Sequence, residues 1–132
     1  MEQDVTVPKR VSIYVRVSTE GQAEHGFSID AQLRTLRDYC ELYGKSIVYE
    51  YVERGVSGKN VTDRPELQRM LRDAENGLFD ELLVMKISRP ARNMIDLLQI
   101  VKYLRNRNVT FSSFSEKFDT DTPMGKFALS ML

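Results

Sequence analysis

The sequence contains one cysteine, one histidine and no tryptophan. A lone thiol, Cys40, cannot build a disulfide framework, and with only His25 to join it a structural zinc site lacks ligands. No metal and no cofactor is expected, and a reducing cytoplasm is the setting this composition fits. No apolar run approaches the length that spans a bilayer, and the opening residues lack the apolar centre of a secretory signal. A soluble protein with no membrane partner follows. Net charge is missing as well, because 19 basic residues balance 19 acidic ones. The whole chain therefore lacks the electrostatic footprint of a self-sufficient nucleic-acid binder, and any such affinity must come from local clusters or from further segments.

What is present is enough apolar material for one core. At 132 residues, 42% of them hydrophobic, the chain can bury roughly two-thirds of its unfolded surface as a single domain. Four β-branched or apolar runs, Val11 to Val17, Ile47 to Val52, Glu81 to Lys86 and Val109 to Phe114, read as strands. Between them lie three helical stripes: Ile29, Leu33, Leu36, Cys40 and Tyr43; Leu67, Met70, Leu71, Ala74 and Leu78; Met94, Leu97, Leu98, Val101 and Leu104. Methionines and tyrosines at that spacing are expected in the core. Pro65 suits the first turn of the second helix, and Gly44 and Gly77 suit the ends of the first and second. Strands alternating with helices predict an α/β fold with a mostly parallel four- to five-stranded sheet flanked by helices. Residues 1–10 read as a flexible leader and 11–121 as the domain. At 122–132, Thr122-Pro123 opens a helix whose stripe Met124, Phe127, Ala128, Met131 and Leu132 is expected to continue as a long helix, here truncated.

In open parallel sheets ligands bind outside the carboxyl ends of the strands. The segments that follow Val17, Val52 and Lys86 carry the unusual side chains: Arg16, Ser18 and Gln22; Glu53, Arg54, Ser57, Lys59 and Arg64; Ser88, Arg89 and Arg92. Residues two apart on a strand point the same way, so Arg16 and Ser18 project together at the strand end. The planar guanidinium fork fits the nonbridging oxygens of a phosphate and stays charged at any physiological pH. Each residue alone has a plain explanation, a surface arginine or a turn serine; four arginines at one sheet edge do not. The Gly55-Val56-Ser57-Gly58-Lys59 loop lacks Walker spacing and reads as a mobile loop. His25 reads as an ordinary loop residue and Cys40 as a packing thiol, so a hydrolase triad is disfavoured, as is a two-metal carboxylate clamp. Serine attack on phosphorus in an arginine-lined pocket remains.

The tract Tyr14-Val15-Arg16-Val17-Ser18-Thr19 with Gln22 resembles the active-site tract of the resolvase/invertase family of serine recombinases. So do Ser57-Gly58, Asp63-Arg64-Pro65, Lys86-Ile87-Ser88-Arg89-Pro90-Ala91-Arg92-Asn93 and Met124-Gly125-Lys126, in the same order over nearly the whole chain. Gly26-Phe27-Ser28-Ile29-Asp30-Ala31-Gln32 is most similar to the large serine recombinases, the phage integrases and transposon recombinases. The resemblance implies a site-specific DNA recombinase catalytic domain in which Ser18 forms a covalent phosphoserine link to DNA. Strand exchange and religation then follow without a cofactor. It assigns Arg16, Arg64, Arg89 and Arg92 to the scissile phosphate, gives Gln22 a positioning role, and implies DNA as partner with dimers and tetramers in the full-length protein.

Two departures stand out. Ser88 occupies a place where many relatives have an arginine-positioning aspartate, and Pro90 a place where they have leucine; Glu53 or another group is expected to hold the arginine instead. The family's later segments, including a further catalytic arginine, lie beyond Leu132, so weak or no activity is expected of this piece alone. The competing reading is a non-catalytic phosphate- or nucleotide-binding regulatory module, which the fold by itself permits.

Overall fold

The protein is described by a computed structural model covering residues 9–17, 28–54, 64–86, 90, 94–120 and 122–123. Its elements follow in the order β1 (Arg10–Val17), α1 (Ile29–Leu42), β2 (Ser46–Arg54), α2 (Pro65–Glu75), β3 (Glu81–Val84), α3 (Met94–Arg105), β4 (Thr110–Ser113) and β5 (Phe118–Asp119). The sheet order is β2-β1-β3-β4-β5; the first four strands are parallel and β5 pairs antiparallel with β4. The expected mostly parallel α/β sheet is therefore present, with its fifth strand reduced to two residues.

β1 lies inside the sheet with a helical layer on each face, which is why it reads as a nearly continuous apolar run. Val11, Ile13 and Val15 point to α1, where Ile29, Leu33, Leu36 and Cys40 cover them. Tyr14 points to the opposite face, into a cluster with Leu67 and Met70 of α2 and Ile100, Val101 and Leu104 of α3. Each such aliphatic side chain, fully buried, contributes about 1.5–3 kcal/mol. Two residues of the expected stripes are not core. Tyr43 is 62% exposed and Met94 60% exposed. Tyr43 is the C-cap of α1 and Met94 the first residue of α3, so both extend past the turns that face the sheet.

The helix ends use local chemistry. Ser28 caps α1 by accepting from the Ala31 N–H at 3.1 Å, and Pro65 opens α2 where its missing N–H costs nothing. Gly44 and Gly77 have φ of 69° and 72°, the left-handed turn that closes a helix. Asn108, at φ 63°, does the same after α3, with the Val109 N–H returning to the Leu104 carbonyl at 2.9 Å.

Candidate active site

The order in which strands are added reverses between the parallel strands β1 and β3: β1 leads through α1 to β2 on one side, and β3 leads through α3 to β4 on the other. A crevice forms at such a switch point, outside the carboxyl ends of the strands. Arg16 lies there near the end of β1, opposite Glu53 of β2 in the parallel register. Tyr14, one pleat earlier and fully buried, donates its hydroxyl to Glu53 Oε1 at 2.9 Å. The Glu53 carboxylate also accepts the backbone N–H groups of Leu67 at 3.0 Å and Glu66 at 3.2 Å. A side chain from the neighbouring strand thus caps α2, whose own N-cap residue, Arg64, makes no side-chain cap. The negative group also suits the positive end of the helix dipole. Burial, then the charge of Glu53 and its hydrogen bond, raise the Tyr14 phenol far above its ordinary range, while the charges of Arg16 and Arg64 oppose that rise. Both guanidinium groups are therefore close enough to act on this hydroxyl.

Arg64 is only 7% exposed. Its Nη1 donates to the Pro90 carbonyl at 2.5 Å and pairs with Asp96 Oδ2 at 3.1 Å, and its Nη2 makes a longer contact of 3.5 Å to Asp96 Oδ1. The remaining edge is different: Nε is buried and has no hydrogen-bond partner. A buried charge needs a partner, and Asp96 supplies it. The Glu53 carboxylate accepts from Tyr14 and the start of α2, and the carboxylate on Arg64 is that of Asp96.

The geometry thus gathers Arg16, Glu53 and Arg64 around Tyr14. Ser18, Gln22, Ser88, Arg89 and Arg92 lie outside the described residues, as do His25, the Gly55 to Gly58 loop and the 124–132 stripe. Three participants were not singled out from the sequence: Tyr14 as a bridge, Asp96, and the Pro90 carbonyl. Tyr14 could be read only as a strand residue and Asp96 only as a first-turn acid; a backbone carbonyl has no sequence signature at all. Among the described residues no cluster of three or more His, Cys, Asp or Glu side chains could hold a metal ion, and no helix is long and apolar enough to cross a membrane.

Known proteins resemble this chain over most of its length. The DNA-invertase of Enterobacteria phage P7 is 37% identical over 114 residues, 86% of this chain and 53% of that protein. The serine recombinase gin of Escherichia phage Mu is 37% identical over 115 residues, 86% of this chain and 51% of that protein. The chain thus spans about half the length of these two relatives. Among solved structures, the N-terminal catalytic domain of TP901-1 integrase superposes with a TM-score of 0.82 at 38% identity, covering 93% of this chain and 90% of that one. The family described as Resolvase, N terminal domain matches residues 11–132, and the chain belongs to it: this is the catalytic domain of a serine recombinase.

Proposed function

We propose that this domain cuts and rejoins DNA at a specific site, with Ser18 as nucleophile and Arg16, Arg64, Arg89 and Arg92 as the phosphate-binding set. The Ser18 Oγ–P bond forms as the bond from phosphorus to the leaving sugar oxygen breaks, and that oxygen takes up a proton. The phosphoserine keeps the ester energy, so a rotated partner strand can reverse the step without ATP. In phosphoryl transfer the protein contributes chiefly positioning and charge neutralisation. The observation that carries this reading is the Arg64 guanidinium, buried at the start of α2 and paired with Asp96, with its Nε–H unpartnered among the described residues. A surface arginine satisfied by solvent would carry no such implication. Gln22 and Ser88 are assigned to positioning the serine loop and the third loop, and Glu53 to holding α2 and Tyr14.

DNA is the partner this chemistry requires, and dimers and tetramers of the full-length protein are the assembly the family resemblance implies. The near-zero net charge leaves most of the DNA affinity to other segments, so this piece alone is expected to cleave weakly or not at all. The single thiol is buried and pushed up to about 11 by burial, then by the charge of Glu81, which suits a reducing, cytoplasmic setting. A nucleotide-binding module finds no support: the start of α2, where a phosphate would bind, is occupied by the Glu53 carboxylate.

The test uses the full-length protein with a recombination site nicked near the exchange point, which traps the covalent species. A protein–DNA adduct should map to Ser18 and disappear in Ser18→Ala. An adduct of unchanged yield in Ser18→Ala removes the assignment.

A further inference from the structure

Arg64 carries five N–H donors in a rigid plane, and a carboxylate can meet that plane along either of two edges. In this structure Asp96 occupies the end-on edge, facing Nη1 and Nη2, while the Pro90 carbonyl takes a further Nη1 proton. On the side-on edge, Nε is buried and has no hydrogen-bond partner among the described residues. The two halves of the same group are thus in opposite states, one clamped and one unsatisfied.

We propose that Asp96 is a positioning residue: it clamps Arg64 by the end-on edge and so keeps the Nε–Nη2 edge, covered in the absence of DNA, oriented for two oxygens of the scissile phosphate once DNA uncovers it. The inference rests on the phosphate-binding role proposed above for Arg64. Arg64 precedes the first turn of α2 and Asp96 sits in the first turn of α3, so the clamp also joins the starts of these two helices. An ion pair with the carboxylate is compatible with phosphate binding because the two acceptors use different edges of one guanidinium.

The measurement is single-turnover cleavage by the full-length protein at saturating DNA, with DNA affinity measured separately and thermal unfolding run on every variant. A misplacement of about 1 Å can cost on the order of 10²-fold in rate, and Asp96→Asn is expected to slow cleavage to that degree with DNA affinity unchanged. Asp96→Glu should recover part of the rate. Arg64→Ala should be at least as slow, and adding Asp96→Asn to it should slow it no further, since the clamp has nothing left to hold. A merely structural role for Asp96 would instead add its effect to that of Arg64→Ala and leave the cleavage rate per folded molecule of Asp96→Asn at the wild-type value. Additive rates, or Asp96→Asn cleaving at the wild-type rate while Arg64→Ala is slow, overturn the positioning role and leave the reading of Arg64 standing. Wild-type cleavage by Arg64→Ala overturns both.

Discussion

Each edge of the sheet has its own buried ion pair, and they are finished to different degrees. At the edge where the strands begin, Glu81 is fully buried, and both of its oxygens are engaged. Lys45 Nζ donates to each of them at 3.0 Å, Ser112 Oγ to one at 2.5 Å, and Lys9 Nζ lies 3.7 Å from the other. At the edge where the strands end, Arg64 is paired with Asp96 and Pro90, yet Nε has no partner. The first cluster pins α1, β1, β3 and β4 together and has no idle group to offer a ligand. The second holds one donor in reserve. A saturated buried pair is scaffold, and a half-satisfied one is a place where something else is to bind. Between the two ion pairs, the contrast points to the Arg64 end of the strands as the candidate site.

That contrast breaks most visibly if the closed cluster is opened. Glu81→Ala removes the common partner of two lysines and a serine. Breaking a buried pair costs about 3–5 kcal/mol, and because Lys9 and Lys45 retain side-chain exposures of 34% and 19%, we expect about 3 kcal/mol, the lower end of that range. Urea unfolding should register this loss while the cleavage rate per folded molecule of the full-length protein stays unchanged. A variant that is stable but slow in cleavage would erase the distinction between the two edges.

Glu53 stands between the two cases: it is on the functional edge, but its hydrogen bonds to Tyr14 and to the start of α2 are complete. Glu53→Gln keeps the shape and loses the charge that receives three donors. We expect about 2 kcal/mol of destabilisation, in the range for hydrogen bonds to a charged group. The melting temperature should fall with it. Cleavage should fall too, though less than in Asp96→Asn, since Glu53 reaches Arg64 only through Tyr14 and α2. An effect on cleavage alone, with stability untouched, would place Glu53 in contact with the substrate.

The scaffold was largely legible in the sequence because it rests on local rules. Alternation marked β1, helical spacing marked the faces of α1 to α3, and Pro65, Gly44 and Gly77 marked their ends. The stripe rule overshot at Tyr43 and Met94, where a residue keeps the right spacing but the sheet no longer lies beneath it. Asn108 ending α3 was missed because asparagine enters the left-handed turn less often than glycine. On the site, Arg16 and Arg64 were found from their place after strands. Asp96 was not, because its contact with Arg64 spans 32 residues and depends on how two helix starts meet across the crevice. Glu53 was read as an arginine's partner from the family resemblance; a further demand on it, the N–H groups at the start of α2, is visible only in three dimensions.

The smallest expected effect reads the closed edge through its neighbour, Cys40. The thiol is buried against α1's face of the sheet, and burial first, then the nearby charge of Glu81, push it up to about 11 from an ordinary value of 9.0, with Lys45 opposing. A thiol whose folded value is raised binds its proton more tightly in the native state. Its contribution to stability is therefore complete below about pH 9 and is lost as pH rises toward about 11. Lysines and tyrosines titrate in the same window, so the quantity to measure is the difference between wild type and Cys40→Ala in urea unfolding at pH 8, 9 and 10, each an order-of-magnitude placement around that window. The wild type should lose stability relative to the variant as pH rises. Repeating the pair in a Glu81→Gln background removes the secondary cause and leaves burial, so the difference should shrink but persist. A difference that vanishes there would mean that the Glu81 charge, not burial, governs this face of the sheet.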